Sequence, residues 1–501
     1  MFPLDATSSS SGGTPGLIVS RSHGQWFLTL TKPVYFPLQT SPVFPVVHSK
    51  KQKIRLVFDA SAEYSGVSLN SVLLKGPDFN NDLRGVLIRF REGLIGFVAD
   101  INKMFNNFKV PEEQRNYLRF YWYSNNSPRN KLVQYRSKSH IFGCTSSPAV
   151  ANFCLRFVAK DLAADNLAKN YIENAFYVDD GLSSANSASE AVETLQQAIA
   201  ALGKYNVRLH KVNSSSREVL QAFPESERSS STHNFRYEEI PSQRTLGILW
   251  KPEKDVFAFE VSIPERKFTK RGVISVINSL YDPLGFVAPI VLTARLIQRT
   301  ILPPKKNADP ELEQYGWDDP LPGKFLEKWE NWKQSLESLS SLEIPRCYIP
   351  NDEFISSSKE LHVFCDASEE AIGFVIYVKS VDKSGNVHLA IVTGGAKVAP
   401  KSATTIPRLE LCAALEATIV CNNVIKELSY DLSSVTYYSD SRVTLGYLHN
   451  TKRQFSNYVT RRVKMILSMT RKHQWRYVST NVNPADISSR PQTPNELKRS
   501  S

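Results

Sequence analysis

At 501 residues the chain is long enough for two or more separately buried cores. A composition of 42% hydrophobic and 22% charged residues is that of a globular protein, and 61 basic against 49 acidic side chains give a formal net charge of +12, which favours a polyanionic partner, nucleic acid before membrane surface. No apolar run approaches the roughly 20 residues that span a bilayer, and the six cysteines form neither a CxxC pair nor a Cys/His cluster, which argues against a membrane span, a zinc site and a disulfide framework.

Residues 1–30 are small and polar and lack the basic and apolar regions of a signal peptide. A flexible lead-in and an intracellular chain, in a cytoplasmic particle or the nucleus, are expected. From about Pro33 to Trp250 strand-like and helix-like segments alternate, which predicts a mixed α/β domain. Gly96 to Asp100 reads as a strand with a carboxylate at its tip. Ser146 to Asp165 has helical spacing, and Ala175 to Gly181 reads as strand, acidic turn and return strand. A helix capped by Ser187 or Ser189 should bury Val192, Leu195, Ile199 and Leu202. Residues 224–243 look like an exposed insertion before a strand over Leu246 to Trp250. Phe268 to Pro303 should be helical with breaks at Asp282-Pro283 and Pro289, and residues 303–322 a connector. From Leu361 the expected order is three strands (361–366, 371–378, 388–393), a helix (408–428), a strand (435–439), a helix (455–470), a strand (475–479) and a short last helix. That order is the layout of an RNase H-like domain.

Two sets of acids carry candidate chemistry. Phosphoryl transfer onto a sugar hydroxyl needs two hard cations, and these take oxygen ligands. Asp100 at a strand end and Asp179-Asp180 in a tight hairpin would supply them. An Asp-Asp pair is also ordinary turn chemistry; its mutual repulsion is relieved when a cation binds. In the final unit Asp366 ends one strand and Asp440 another, Glu410 opens a helix and Asp486 lies in Asn483-Pro-Ala-Asp486. Neighbouring first and fourth strands would make Asp366 and Asp440 converge. Glu410 and Asp486 would reach them from the first and last helices. Glu416 reads as helix surface, and the nine histidines, without paired spacing, as structural or exposed.

The flanking residues go further. Tyr177-Val178-Asp179-Asp180 is the YxDD box of reverse transcriptases, and Phe97-Val98-Ala99-Asp100 with Phe105 resembles their first aspartate motif. Arg55-Leu-Val-Phe-Asp59-Ala-Ser, Ser68-Leu-Asn70, Gly76-Pro77, Leu87-Ile-Arg89-Phe90-Arg91, Phe142-Gly143, Ser147-Pro148-Ala149, Leu246-Gly-Ile-Leu-Trp250 and Tyr281-Asp-Pro-Leu-Gly-Phe286 continue the series in order. So do FCDAS with Gly373, PRLELCAA, YSDSRVTLGYL and NPADISSR around the second acid set. From about residue 33 to 490 the chain resembles the pol region of BEL/Pao-type LTR retrotransposons.

That resemblance implies a right-hand reverse transcriptase of fingers, palm and thumb followed by an RNase H-like α/β domain. Its divisions would be a flexible segment at 1–30, fingers and palm at 31–250, thumb and connection at 251–345, RNase H-like domain at 355–492 and a tail at 493–501. Asp100, Asp179 and Asp180 would hold one pair of Mg²⁺ (or Mn²⁺) ions, and Asp366, Glu410, Asp440 and Asp486 a second pair. Arg55, with Lys50 or Lys51 nearby, would meet the incoming dNTP. Phe105 would lie under the sugar and exclude a 2′-hydroxyl, though a core aromatic is the competing reading. Gly143 and Pro148 would shape the template-side loop, Lys211 would protonate the leaving pyrophosphate, and Leu246 to Trp250 resembles the hairpin that grips the primer. Asn102, Val212 and Phe142 depart from common family residues without removing a metal ligand. The implied partners are an RNA template, a DNA primer, RNA–DNA hybrid and dNTPs, with self-association or contact to other pol products. Residues 452–476 carry eight cations and no acid, a track for duplex phosphates beside the second centre. A decayed copy that binds nucleic acid without catalysis is the alternative. Asp5-Ala-Thr-Ser is a poor match to an aspartic protease loop.

Overall fold

The computed structural model describes residues 17–22, 25–30, 40–47, 54–164, 166–229, 233–234, 247–261, 263–302, 310–399, 405–428 and 434–499. Lys50, Lys51 and most of 224–243 lie outside them. The chain forms two compact units. One comprises Met1–Asn80, Asp100–Gly181 and Thr194–His210, and the other Asn81–Ala99, Leu182–Glu193 and Lys211–Ser501. Apart from the one after Asn80, the borders fall inside the strands Ile95–Ile101, Asp180–Ala185 and Leu209–Ser214 and inside the helix Ala188–Gly203.

In the first unit, hairpins Val43–Val47 with Ile54–Phe58 and Arg119–Tyr123 with Leu132–Arg136 accompany the helices Ser147–Lys160 and Leu167–Asn174. Ala60, Leu69, Val110, Leu118, Ile141 and Cys144 form a buried cluster, with Phe58 against it. Asn70 ties motifs that are far apart in sequence: its amide donates to Ser61 Oγ and to the Gly143 carbonyl (both 2.9 Å) and its Oδ1 accepts from the Thr145 N–H. Gly143 has φ +109, and a Cβ there would lie 2.7 Å from the Phe58 carbonyl oxygen, so glycine is required. Helix Ala188–Gly203 is capped by Ser187, whose Oγ accepts from the Glu190 N–H. Its buried stripe is Ala191, Leu195, Ala198 and Leu202, while Val192 and Ile199 are half-buried. The stripe is thus rotated from expectation toward Ala191 and Ala198.

The second unit holds a five-stranded sheet in the order Val387–Val398, Ala371–Asp382, Ser356–Ala367, Ser434–Ser439, Trp475–Tyr477. The first three strands are antiparallel and the last two join in parallel. Helix Ile406–Glu427 packs on it, followed by Arg442–His449, Asn457–Met469, Ala485–Ser488 and Pro494–Arg499. Arg442–His449 is absent from the sequence reading. It starts two residues after Asp440 and buries only Thr444 and Leu448, too short a stripe to register.

Residues 268–302 contain two helices, Lys270–Ile277 and Ala288–Ile301. Pro289 sits in the first turn of the second, where its missing N–H costs nothing, and does not break it. Asp282 makes the break by accepting from the Phe286 (3.0 Å) and Val287 (2.8 Å) N–H groups. The following Leu284 carbonyl receives the Thr393 hydroxyl (2.7 Å) and the Gly394 N–H (3.0 Å) of the sheet's edge strand. A Cβ on Gly285 (φ +69) would lie 2.0 Å from the Gly394 carbonyl oxygen. The Tyr281–Phe286 motif thus clamps these helices to the sheet. Gly247–Lys251 and Val256–Glu260 make the hairpin expected around Trp250, extended by Glu343–Pro345. Trp250 is fully buried, edge-on to Phe90 at 5.0 Å. Among the described residues no helix is long and apolar enough to cross a membrane.

Candidate active sites

The first site lies in the first unit. Asp100 is the penultimate residue of its strand, and Phe176–Tyr177 pairs with the strand that starts at Asp180, with Tyr177 opposite Asp180. Val178 takes φ +57 to turn the chain, which a β-branched residue does only under constraint. The turn is held by Tyr171, whose hydroxyl donates to the Gly181 carbonyl (3.1 Å). A Cβ on Gly181 would fall 2.5 Å from that hydroxyl oxygen. The Ile101 N–H donates to the Asp179 carbonyl (2.8 Å) and the Asn102 N–H to the Arg208 carbonyl (2.9 Å). The three candidate acids therefore lie on adjoining backbone. Asp100 Oδ1 is 3.1 Å from His210 Nε2.

Asp100, Asp179 and Asp180 do not form a close set of ligand atoms; among the described residues that is reached only by the second group of acids. Phe105 is not in the core: it is half-buried on the turn Met104–Asn107, with its ring 5.8 Å from the exposed Phe142. Arg55 lies on the strand Ile54–Phe58, and its side chain falls outside the described residues. Lys211 is exposed, with φ +54, on the strand Leu209–Ser214.

The second site belongs to the second unit, where Cys365 and Ser439 are parallel-strand partners, so the next residues, Asp366 and Asp440, emerge together at the strand ends. Helix Ile406–Glu427 adds Glu410. Each of the three offers an oxygen within 4.8 Å of the others. Asp366 and Glu410 are only 5% and 6% exposed, so their carboxyls lie out of water. Burial, with the charges of Asp366 and Asp440, pushes Glu410 up to about 9. Burial also raises Asp366, against the hydrogen bond from Ser489 and with the added repulsion of Asp440 and Asp486. Thr480 Oγ1 donates to Asp440 Oδ2 (2.7 Å), and the buried Ser489 hydroxyl donates to Asp366 Oδ2. Glu410 Oε2 and Asp440 Oδ1 are buried without a hydrogen-bond partner. Two orphaned carboxylate oxygens in an all-oxygen set fit a hard divalent cation, which would restore the interactions lost with water.

Asp486 stands outside this close set. Its Oδ1 pairs with Arg490 (2.8 Å) one turn along, yet its charge reaches Asp366. Glu416 pairs with Lys397, in keeping with a surface role. On Asn457–Met469, Val459 and Ile466 face inward while Arg461 and Lys464 are exposed. Arg462 lies 3.5 Å and Arg408 5.2 Å from the Tyr458 ring centroid.

Three contributors escaped the sequence reading. Ser489 sits inside the quoted NPADISSR motif, but nothing in the motif says which serine turns inward. Thr480 lies in no motif. Paired histidine spacing does not reveal His210, whose partner is an aspartate 110 residues away.

Residues 269–441 match the model of the Pao retrotransposon-like RNaseH-like domain. The likeness to Pao-type retrotransposon pol is borne out. The matched stretch begins at Thr269, the N-cap of helix Lys270–Ile277, and so takes in the helices clamped by Leu284 and Gly285 together with the first four strands of the sheet. No curated protein matches the sequence. Two solved structures share the fold: the foamy viral protease-reverse transcriptase dRH in complex with ds DNA (TM-score 0.53, 16% identity, 88% of this chain) and the foamy viral protease-reverse transcriptase in complex with RNA/DNA hybrid (0.51, 15%, 91%). This chain spans 65% and 52% of the lengths of those two. The fold is accordingly a mixed α/β multidomain one that resembles retroviral reverse transcriptase and RNase H structures.

Proposed function

We propose that this chain is an RNA-directed DNA polymerase with a C-terminal ribonuclease H activity, part of the pol product of a BEL/Pao-like element acting inside the cell. The observation that carries the reading is the buried trio Asp366, Glu410 and Asp440 with its two orphaned oxygens. Two strand ends and one helix bring three carboxyls together out of water, an arrangement that is costly to ionise unless a cation completes it. The polymerase half rests on Asp100 and the Tyr177–Asp180 hairpin, joined through the Ile101 to Asp179 backbone bond. Fingers and palm at 31–250 and thumb at 251–345 are part of the proposal, as are the nuclease at 355–492 and two Mg²⁺ or Mn²⁺ ions per site.

When bound, the divalent ions would lower the pKa of the attacking hydroxyl or water and stabilise the leaving oxygen. At the nuclease Asp366, Glu410 and Asp440 would hold them, with Asp486 alongside. Ser489 keeps Asp366 turned inward and Thr480 fixes Asp440, so ligand geometry is set before substrate arrives. At the polymerase Asp100, Asp179 and Asp180 would hold them. Phe105 would bar a 2′-hydroxyl, Arg55 would meet the dNTP phosphates, and Lys211 would give a proton to pyrophosphate. Primer extension on an RNA template with Mg²⁺ tests the polymerase: Asp179→Asn should abolish it, and equal extension by both proteins overturns the claim. Asp366→Asn should abolish cleavage of an RNA–DNA hybrid while extension persists; retained cleavage refutes the nuclease assignment.

A further inference from the structure

The hairpin Arg119–Tyr123 with Leu132–Arg136 stands out from the first unit. All five residues of its second strand are exposed, although a two-stranded ribbon ordinarily needs one face covered to be stable. Register places Tyr121, Tyr123, Leu132 and Gln134 on one face. Tyr121 is 48%, Tyr123 37% and Leu132 57% exposed. The opposite face is anchored at its base, where Phe120 meets Phe58 edge-on (5.2 Å) and stacks on Tyr135 (5.9 Å). Trp122 is fixed by its indole N–H to Asn126 Oδ1 (2.9 Å) and lies edge-on to Tyr123. The exposed rings therefore sit on a stiff support. Their solvent exposure is not slack in a loose loop.

Charge identifies what would cover them. From Gln114 to Lys160 the chain carries eight Lys and Arg and no Asp or Glu. Arg136 is paired with Glu112, and Arg119 is bonded to Asn116 and Gln134. Arg129 and Lys131 are exposed at the hairpin's tip and Lys138 beyond its base. Aromatic rings spaced along a strand, about 7 Å apart at alternate residues, with cations at the tip and Glu112 neutralised by Arg136 at the base, match the way single-stranded nucleic acid is held: bases stack on rings and phosphates meet cations. A second copy of this chain would bring like charge to the patch, since its net charge is +12. We infer that this hairpin is a binding platform for single-stranded nucleic acid, with bases stacked on Tyr121 and Tyr123 and phosphates held by Arg129 and Lys131.

The platform shares with the proposed function only the class of partner, and it requires neither carboxylate centre. The test is fluorescence anisotropy of the full chain with a labelled unstructured RNA oligonucleotide in EDTA, beside a blunt duplex of the same length. Tyr121→Ala with Tyr123→Ala should weaken single-strand binding by about tenfold per ring and leave duplex binding and the thermal midpoint unchanged. Tyr121→Phe with Tyr123→Phe should bind as wild type, since stacking needs the ring and not the hydroxyl. Arg129→Ala with Lys131→Ala should reduce the slope of log affinity against log salt by about 1 to 2. Undiminished single-strand binding by the double alanine variant overturns the platform. So does an equal loss on the duplex, or a sedimentation shift showing that the rings join two copies. Because metal is withheld, failure here leaves primer extension and hybrid cleavage intact as separate results.

Discussion

Arg91 donates from Nε to the backbone carbonyl of Arg346, 2.8 Å away and 255 residues along the chain, and both guanidinium groups are buried. Arg91 also caps the Pro345, Ile391 and Val392 carbonyls and lies over Tyr348 at 4.4 Å. Arg346 forms a two-pronged pair with Asp255 (2.6 and 2.7 Å) and reaches the Phe90, Gly93 and Leu94 carbonyls. Five planar donors suit a ring of converging carbonyls as a lysine cannot. Arg346→Met should therefore destabilise the second unit by about 3–5 kcal/mol, because three carbonyls lose their donor and Asp255 keeps only the Trp250 indole N–H. Arg346→Lys should recover only a minor part. Urea denaturation followed by tryptophan fluorescence measures both, and an unchanged midpoint for Arg346→Met would refute this account.

Gly373 is the strand partner of Asp366, and a Cβ on it would lie 2.5 Å from both Ser488 C and Ser489 N. That close approach lets Ser489 reach Asp366. Gly373→Ala should push helix Ala485–Ser488 off the sheet and lower hybrid cleavage at least tenfold, with primer extension kept. Gly446, in the helix Arg442–His449, has nothing within 4 Å of its would-be Cβ, so Gly446→Ala serves as the control. It should stabilise by about 0.5–1 kcal/mol. Equal cleavage by Gly373→Ala and wild type would show that the serine contact does not set the site.

The strand tips that carry Asp100, Asp366 and Asp440 were legible because an apolar run ending in an acid marks both the element and its chemistry. The parallel pairing of first and fourth strands was legible as well, since the three-strand meander leaves one open position beside the first strand. Arg91 and Arg346 were not. In sequence a buried arginine is indistinguishable from a solvated one, and only the carbonyls that converge on it say otherwise. Asp486 looked equivalent to the other three acids of its centre, but a basic residue one turn on draws it aside. Pro289 looks like a break in sequence because a proline's effect depends on where the helix starts, which Asp282 decides.

His140 links stability to pH in the first unit. It is 8% exposed, and burial brings its pKa from 6.5 down to about 4. Its Nε2 has no hydrogen-bond partner, so protonation leaves a buried charge uncompensated. A base depressed in the folded state contributes stability above its unfolded pKa and loses it as pH falls toward the folded value. Wild type should lose up to about 3 kcal/mol between pH 6.5 and 4 from this group. His140→Phe should remove that part of the slope, read as the difference between urea midpoints of the two proteins at pH 7, 6 and 5. Parallel slopes would exclude His140 as the titrating group.

Glu410 makes metal uptake at the nuclease a proton exchange. With its carboxyl raised to about 9, it is protonated at neutral pH when no cation is bound. An acid raised in the fold favours the folded state below its ordinary pKa, and that contribution fades as pH climbs through 9. Without metal, therefore, the second unit should weaken from pH 5 toward 9. A cation needs the carboxylate, so its binding must expel the proton. Calorimetric titration with Mn²⁺ at pH 7.5 in buffers of different ionisation enthalpy should show release of about one proton for the site, declining toward none above pH 9. Glu410→Gln should abolish the buffer dependence and weaken binding, whereas Asp179→Asn should leave the nuclease-site proton count unaltered. Buffer-independent heats from wild type would mean that Glu410 is already ionised, and the orphaned oxygen would then need another explanation.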